Sequence, residues 1–139
     1  RMAFVDSGLA AHVLGAGRER LVGGEGPSGA LFETFVLGEL SRQCARSYPQ
    51  VRINHYRTRD GVEVDAVLER ADGAIVGIEV KSGSTVRASD ARGLEHLRAL
   101  LGDRFAAGYI LHTGAQALPF GDRINAVPLS ALWETTSRG

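Results

Sequence analysis

The stretch GVEVDAVLERADGAIVGIEVKS, residues 61–82, decides the fold. Val62, Val64, Ala66 and Leu68 alternate with other residues, and Val76, Ile78 and Val80 repeat the pattern. A period of two belongs to a β-strand with one buried face. Two strands are therefore predicted, joined as a hairpin through Ala71-Asp72-Gly73. Glu63 and Asp65 on the first strand, and Glu79 and Lys81 on the second, then leave by the opposite, outward face.

Register decides whether Asp65 meets Glu79. A two-residue Asp72-Gly73 turn pairs Ala71 with Ala74, sets Asp65 against Val80 and puts the two carboxylates on opposite faces. A three-residue loop with Gly73 in the left-handed position of a bulge pairs Arg70 with Ala74 and sets Asp65 across from Glu79. Only this second register keeps both apolar faces on one side, so it is the predicted one. Carboxylates on cross-strand neighbours, with Cβ atoms about 4.5–5.5 Å apart, repel unless a cation neutralises them. Magnesium takes hard oxygen ligands at about 2.0–2.1 Å and keeps several waters. Asp65, Glu79, the Val80 backbone carbonyl and solvent would suffice for Mg²⁺ or Mn²⁺. Lys81, about 7 Å from Glu79 at roughly 3.3–3.4 Å per residue, can orient an attacking water or stabilise charge developing on a phosphate. It is the only lysine in a chain that otherwise uses arginine for positive charge. A planar guanidinium does not replace a compact ammonium in a tight cluster. The bland alternative for the three residues is a surface ion-pair ladder.

Upstream, Leu31, Phe32, Phe35, Val36, Leu40 and Cys44 recur at helical spacing, which predicts a helix from about Ala30 to Ser47, closed by Pro49. Val51-Arg52-Ile53 opens a strand that turns at Asp60-Gly61. Before the helix, Phe4-Val5 reads as a short strand, Gly8 to Leu14 as a brief helix and Gly15 to Gly29 as a glycine-rich linker. Downstream, Ser82-Gly83-Ser84 releases the chain from the sheet. Ser89 caps a helix that buries Leu94, Leu97 and Leu101 and stops at Gly102. Gly108 to Leu111 reads as a buried strand and Ile124 to Val127 as another, with Pro128 starting a last helix that ends near Trp133. The expected architecture is α/β, a mixed central sheet flanked by helices, in one domain: residues 1–28 lead in and residues 29–133 form the core.

The chain has 139 residues, 44% hydrophobic and 23% charged, which is the composition of a single soluble domain with a proper core. No apolar run approaches the roughly 20 residues that span a bilayer, and the start lacks the shape of a signal peptide. A cytoplasmic location without membrane contact is expected. Zero net charge excludes a global basic field. A polyanion would be met locally, and Arg52, His55, Arg57 and Arg59 are the candidate nucleic-acid contacts; the competing reading is a solvated arginine-rich face. Cys44 reads as a small core residue rather than a reactive thiol. Glu63 is either a second carboxylate near the site or merely solvated. His12, His96 and His112 show no ligand spacing, and Tyr56, Tyr109, Phe120 and Trp133 read as core or rim.

Asp65 on one strand and Glu79-Val80-Lys81 on the next, preceded by a helix bearing Glu33, resembles the PD-(D/E)xK nuclease superfamily, whose restriction-endonuclease-like core runs αβββαβ. The resemblance implies that Asp65 and Glu79 bind the metal, that Lys81 assists the hydrolytic water, and that Glu33 completes the site. Val64 stands where that superfamily often has a proline. A longer resemblance rests on Phe4-Val5-Asp6-Ser7-Gly8-Leu9, Leu31-Phe32-Glu33, Glu63-Val64-Asp65, Ile78-Glu79-Val80-Lys81-Ser82 and the Pro119-Phe120 to Pro128-Leu129 ending. These segments resemble the C-terminal domain of unknown function that follows the ATP-binding module of prokaryotic AAA-type ATPases. It implies an N-terminal ATPase module in the parent chain, and no G-x-x-x-x-G-K-[ST] pattern occurs in these 139 residues. Arg1-Met2-Ala3-Phe4-Val5 reads as a strand already under way, in keeping with a C-terminal piece. The implied function is a metal-dependent nuclease acting on phosphodiesters, DNA first. The alternative is an inactive nuclease-fold module for DNA binding, partner docking or regulation of the ATPase, and homo-oligomerisation fits either.

Overall fold

The computed structural model describes residues 27–47 and 49–131. Helix α1, Pro27–Ala45, precedes three antiparallel strands, β1 Arg52–Arg57, β2 Glu63–Glu69 and β3 Ile75–Val80. Helix α2, Arg92–Leu101, follows a 3₁₀ turn at Ala88–Ala91, and the chain returns as β4 Phe105–His112, β5 Leu118–Gly121 and β6 Ile124–Pro128. The six strands form one mixed sheet in the order β1-β2-β3-β4-β6-β5. β3–β4 and β4–β6 are parallel and the other pairs antiparallel. The expected order of helix, three strands, helix and strand is thus present, in an α/β sheet flanked by helices.

The hairpin register is the predicted one. The Arg70 N–H donates to the Ala74 carbonyl at 2.9 Å, and Ala66 lies opposite Ile78. Gly73 takes φ +90°, a conformation that L side chains resist, and its N–H donates to the Arg70 carbonyl at 2.9 Å. Asp72 Oδ1 accepts the Ala74 N–H at 3.0 Å, so the loop carries its own fastening.

The face assignment differs from the simple alternation. Between β1 and β2 the pairing moves from Asn54↔Val67 to Tyr56↔Val64, so Asp65 and Ala66 together oppose His55. That is a β-bulge, and it resets which side each residue faces. Ala66 and Leu68 pack with Phe32, Val36 and Leu40 of α1, whereas Val64 joins Leu94 and Leu97 of α2 on the other side. The face expected to point outward is therefore covered by α2. Hydrophobic burial drives both layers at roughly 25 cal/mol per Å², and with two covers the sheet has two cores.

Several boundaries also move. The α1 helix starts at Pro27, inside the expected linker, because proline suits a first helical turn that lacks N–H acceptors. It ends at Ala45, before Pro49. Ser89 makes no cap; Asp90 Oδ2 instead accepts the Arg87 N–H at 2.7 Å in the 3₁₀ turn. Pro128 ends strand β6, paired with His112, rather than starting a helix. Strand β5 was not expected. The expected elements before residue 27 and the helix end near Trp133 lie outside the described residues. No helix among the described residues is long and apolar enough to cross a membrane.

Candidate functional site

The β2–β3 ladder runs from Glu69↔Ile75 to Ala66↔Ile78. At the next position the Asp65 side chain replaces a backbone acceptor: Oδ2 takes the Val80 N–H at 2.8 Å. The bulge makes this geometry available, because the extra residue lets Asp65 leave the ladder and enter the gap where the strands part. Glu79 reaches that gap from β3 and Glu33 reaches it from α1. The negative charge of Asp65 bears on both carboxyls, which places them near it. Side chains from three elements meet at one aspartate.

Burial and mutual repulsion govern their charge. Glu79 is pushed up to about 9, first by burial, then by the negative charge of Asp65 and the hydrogen bond to it, with the Asp65 backbone pulling the other way. Glu33 is raised by burial and by Asp65, and His55 lowers it. Without a cation, Glu79 and Glu33 each hold a proton more tightly than an ordinary glutamate. Glu79 Oε1 is buried and has no hydrogen-bond partner among the described residues. An oxygen in that state is costly to leave unpaired.

Helix α2 seals this oxygen. A Cβ on Gly93 would stand 2.2 Å from the Glu63 carbonyl and 3.2 Å from Glu79 Oε1. Glycine at this position therefore lets the first turn of α2 lie against β2 and over the Glu79 carboxyl. Lys81, just past β3, pairs with Asp90 at 3.4 Å, with both side chains less than a third exposed. Its N–H continues the sheet to Leu111 at 2.8 Å.

The predicted residues separate into two groups. Glu33, Asp65 and Glu79 come together, and the Val80 backbone joins them through its N–H. Lys81 is held beside Asp90. Arg52, His55 and Arg57 lie along edge strand β1, and Arg59 in the turn after it, all four exposed. Glu63 is exposed, and its charge joins that of Asp65 in raising Glu33. It lies opposite Arg57 and forms exposed pairs with Arg57 at 3.6 Å and His55 at 3.8 Å. Among the described residues no three His, Cys, Asp or Glu side chains stand as a ready ligand shell.

Residues 28–132, most of the chain, match the family model described as Domain of unknown function (DUF4143). The chain belongs to that family. The match to the DUF4143 domain includes Glu33, Asp65, Glu79 and Lys81, and it agrees with the resemblance to a domain of unknown function seen in the sequence. No curated protein matches the chain.

Two residues around this candidate site escaped sequence reasoning. Asp90 sits beside Ser89, and a capping signal fits either, so only the fold shows which one acts. Gly93 lies just before Leu94 in the predicted helix, and nothing local marks the close approach that requires it. His112, which had no assigned role, is buried at the end of β4, where it pairs with Pro128; its Nδ1 accepts the Gly114 N–H at 2.9 Å. Cys44 is buried, and burial pushes its thiol up, as suits a core residue.

Proposed function

We propose that this domain is a divalent-cation-dependent nuclease of the PD-(D/E)xK type, acting on phosphodiesters, DNA first, and attached in its parent chain to an N-terminal AAA-type ATPase module. The observation that carries the reading is the convergence of Glu33, Asp65 and Glu79 at the parting of β2 and β3, with Lys81 two residues beyond Glu79. Partly buried carboxylates, one with an oxygen that finds no partner among the described residues, suit a hard cation, since Mg²⁺ or Mn²⁺ would neutralise the repulsion and supply the missing partner. Asp65 and Glu79 would hold it, with Glu33 completing the set. The Val80 N–H points toward Asp65, and a strand residue sends its carbonyl to the same neighbour, so that carbonyl suits the same role.

When bound, the cation supplies Lewis-acid stabilisation of a phosphate oxygen and favours ionised water. The chain's own residues do the rest. Asp65 is anchored by a backbone donor, which fixes its orientation. Lys81 provides positive charge where a phosphodiester in attack becomes more negative. The exposed guanidinium groups of Arg52, Arg57 and Arg59 give the backbone of a nucleic acid a local basic edge despite zero net charge.

Cleavage of plasmid and single-stranded substrates with Mg²⁺ or Mn²⁺ tests the reading. The expected result is cutting that Glu79→Ala and Lys81→Ala abolish; cutting that survives both changes defeats it. A second reading, a nuclease fold kept for docking or for regulating the ATPase, is favoured by the described residues offering no group of three His, Cys, Asp or Glu side chains set to hold a metal. Calorimetric titration with Mn²⁺ separates the two, since a docking module has no need of the cation.

A further inference from the structure

We propose that Asp90 is the positioning residue of this site: it holds the Lys81 ammonium away from Asp65 and Glu79, which keeps their oxygens free for a cation. The inference rests on the metal-site reading above and adds the device that keeps an internal cation from occupying the site.

Lys81 lies two residues after Glu79, so the extended backbone sends both side chains to the same side of the sheet. A flexible four-carbon stem allows an ammonium to approach a neighbouring carboxylate. An unpaired Lys81 would thus compete with a divalent ion, since opposite charges attract strongly where water is scarce. In the structure, however, its ion-pair partner among the described residues is Asp90, at 3.4 Å.

Asp90 is set for this task before Lys81 arrives. Its Oδ2 is occupied by the Arg87 N–H at 2.7 Å, which closes the 3₁₀ turn and leaves Oδ1 for the ammonium. The turn is itself anchored, because Ala91 is buried in the core beneath α2 and Gly93 is wedged against the Glu63 carbonyl. The carboxylate that holds Lys81 therefore belongs to the same rigid segment that covers Glu79. With 29% and 23% of their side chains exposed, Lys81 and Asp90 are shielded from solvent, unlike the exposed Arg70–Asp72 pair, and such shielding makes the pair persist.

The experiment uses the full chain with Asp90→Asn, Lys81→Met and the double variant. Asparagine keeps an oxygen for the Arg87 N–H, so the turn survives while the charge is removed. Lys81 is the only lysine, so ¹⁵N NMR shows one lysine ammonium, whose proton exchange slows when it is paired. The expected result is a protected signal in the parent chain that Asp90→Asn abolishes. An unprotected parent signal, or protection that persists in the variant, overturns the proposal. Mn²⁺ calorimetry gives the second readout. Asp90→Asn should weaken binding about fivefold when Lys81 is present and have little effect in the Lys81→Met background, the coupling expected of residues in contact. Equal loss in both backgrounds shows that Asp90 acts on the cation directly and overturns the positioning role. If the parent chain binds no Mn²⁺, the metal-site reading fails separately, and the ammonium signal still decides whether Asp90 holds Lys81.

Discussion

Asp65 Oδ2 accepts the Val80 N–H at 2.8 Å, one position beyond the last backbone-paired residues of the β2–β3 ladder, Ala66 and Ile78. One side chain thereby continues the sheet and anchors the acid cluster. The protonation of that cluster and the stability of the fold are consequently linked.

Stability of the metal-free chain should fall as pH rises. Glu79 moves from its ordinary 4.5 to about 9 on folding, so the folded state favours the proton. The corresponding stability is fully present below about pH 4.5 and is lost as pH climbs through about 9. With a chelator present, thermal melts should give a Tm about 5 °C or more lower at the alkaline end than at the acid end. Glu79→Gln should flatten much of this slope, and Mg²⁺ should restore stability at high pH by binding the ionised form. Parallel slopes for the parent chain and Glu79→Gln would contradict the linkage.

Gly93→Ala should destabilise by about 1–3 kcal/mol, the usual cost of overpacking. Its Cβ would stand 2.2 Å from the Glu63 backbone carbonyl, which cannot move without disturbing β2. Urea unfolding measures the loss, and an unchanged midpoint would show that α2 does not press on the strand.

Leu94 is fully buried between α2 and the sheet, while Leu100 on the same helix is 60% exposed. Leu94→Ala should cost about 2–5 kcal/mol through the cavity it leaves. Leu100→Ala should stay within about 0.5 kcal/mol. Denaturant midpoints of the two variants test whether this face of the sheet is a true second core.

Nucleic-acid affinity, measured by fluorescence anisotropy over a salt series, should weaken on replacing Arg52, Arg57 or Arg59 with alanine. Each lost phosphate contact should lower the slope of log K against log salt by about one. The Arg57 effect is moderated by its pair with Glu63 at 3.6 Å, so Glu63→Gln should strengthen binding. Arginine variants that bind with the parent's salt slope would return this edge to a solvated face.

The hairpin was legible in the sequence because its register is a local property. A three-residue loop ending in Gly73 can be counted from the residues alone, and the observed Arg70–Ala74 pairing follows. Leu94 and Leu97 were likewise readable as the buried side of a helix, since 3.6-residue spacing is visible in any amphipathic segment. Pro128 shows where such reading stops: proline is at home both in a first helical turn and at the end of a strand. The position of β6 beside β4 decided between them.

From the residues alone came the Arg70–Ala74 register of the hairpin and the presence of a helix bearing Glu33, because short-range turn chemistry and periodicity are encoded within a few neighbouring positions. Tertiary structure decided that a bulge turns Val64 toward α2 and frees Asp65 from the ladder, that Asp90 takes Lys81, and that Gly93 closes over Glu79. These depend on how a helix from a later part of the chain packs on the sheet. Such packing is set by the sum of many contacts between distant residues, and no local window of sequence contains that sum.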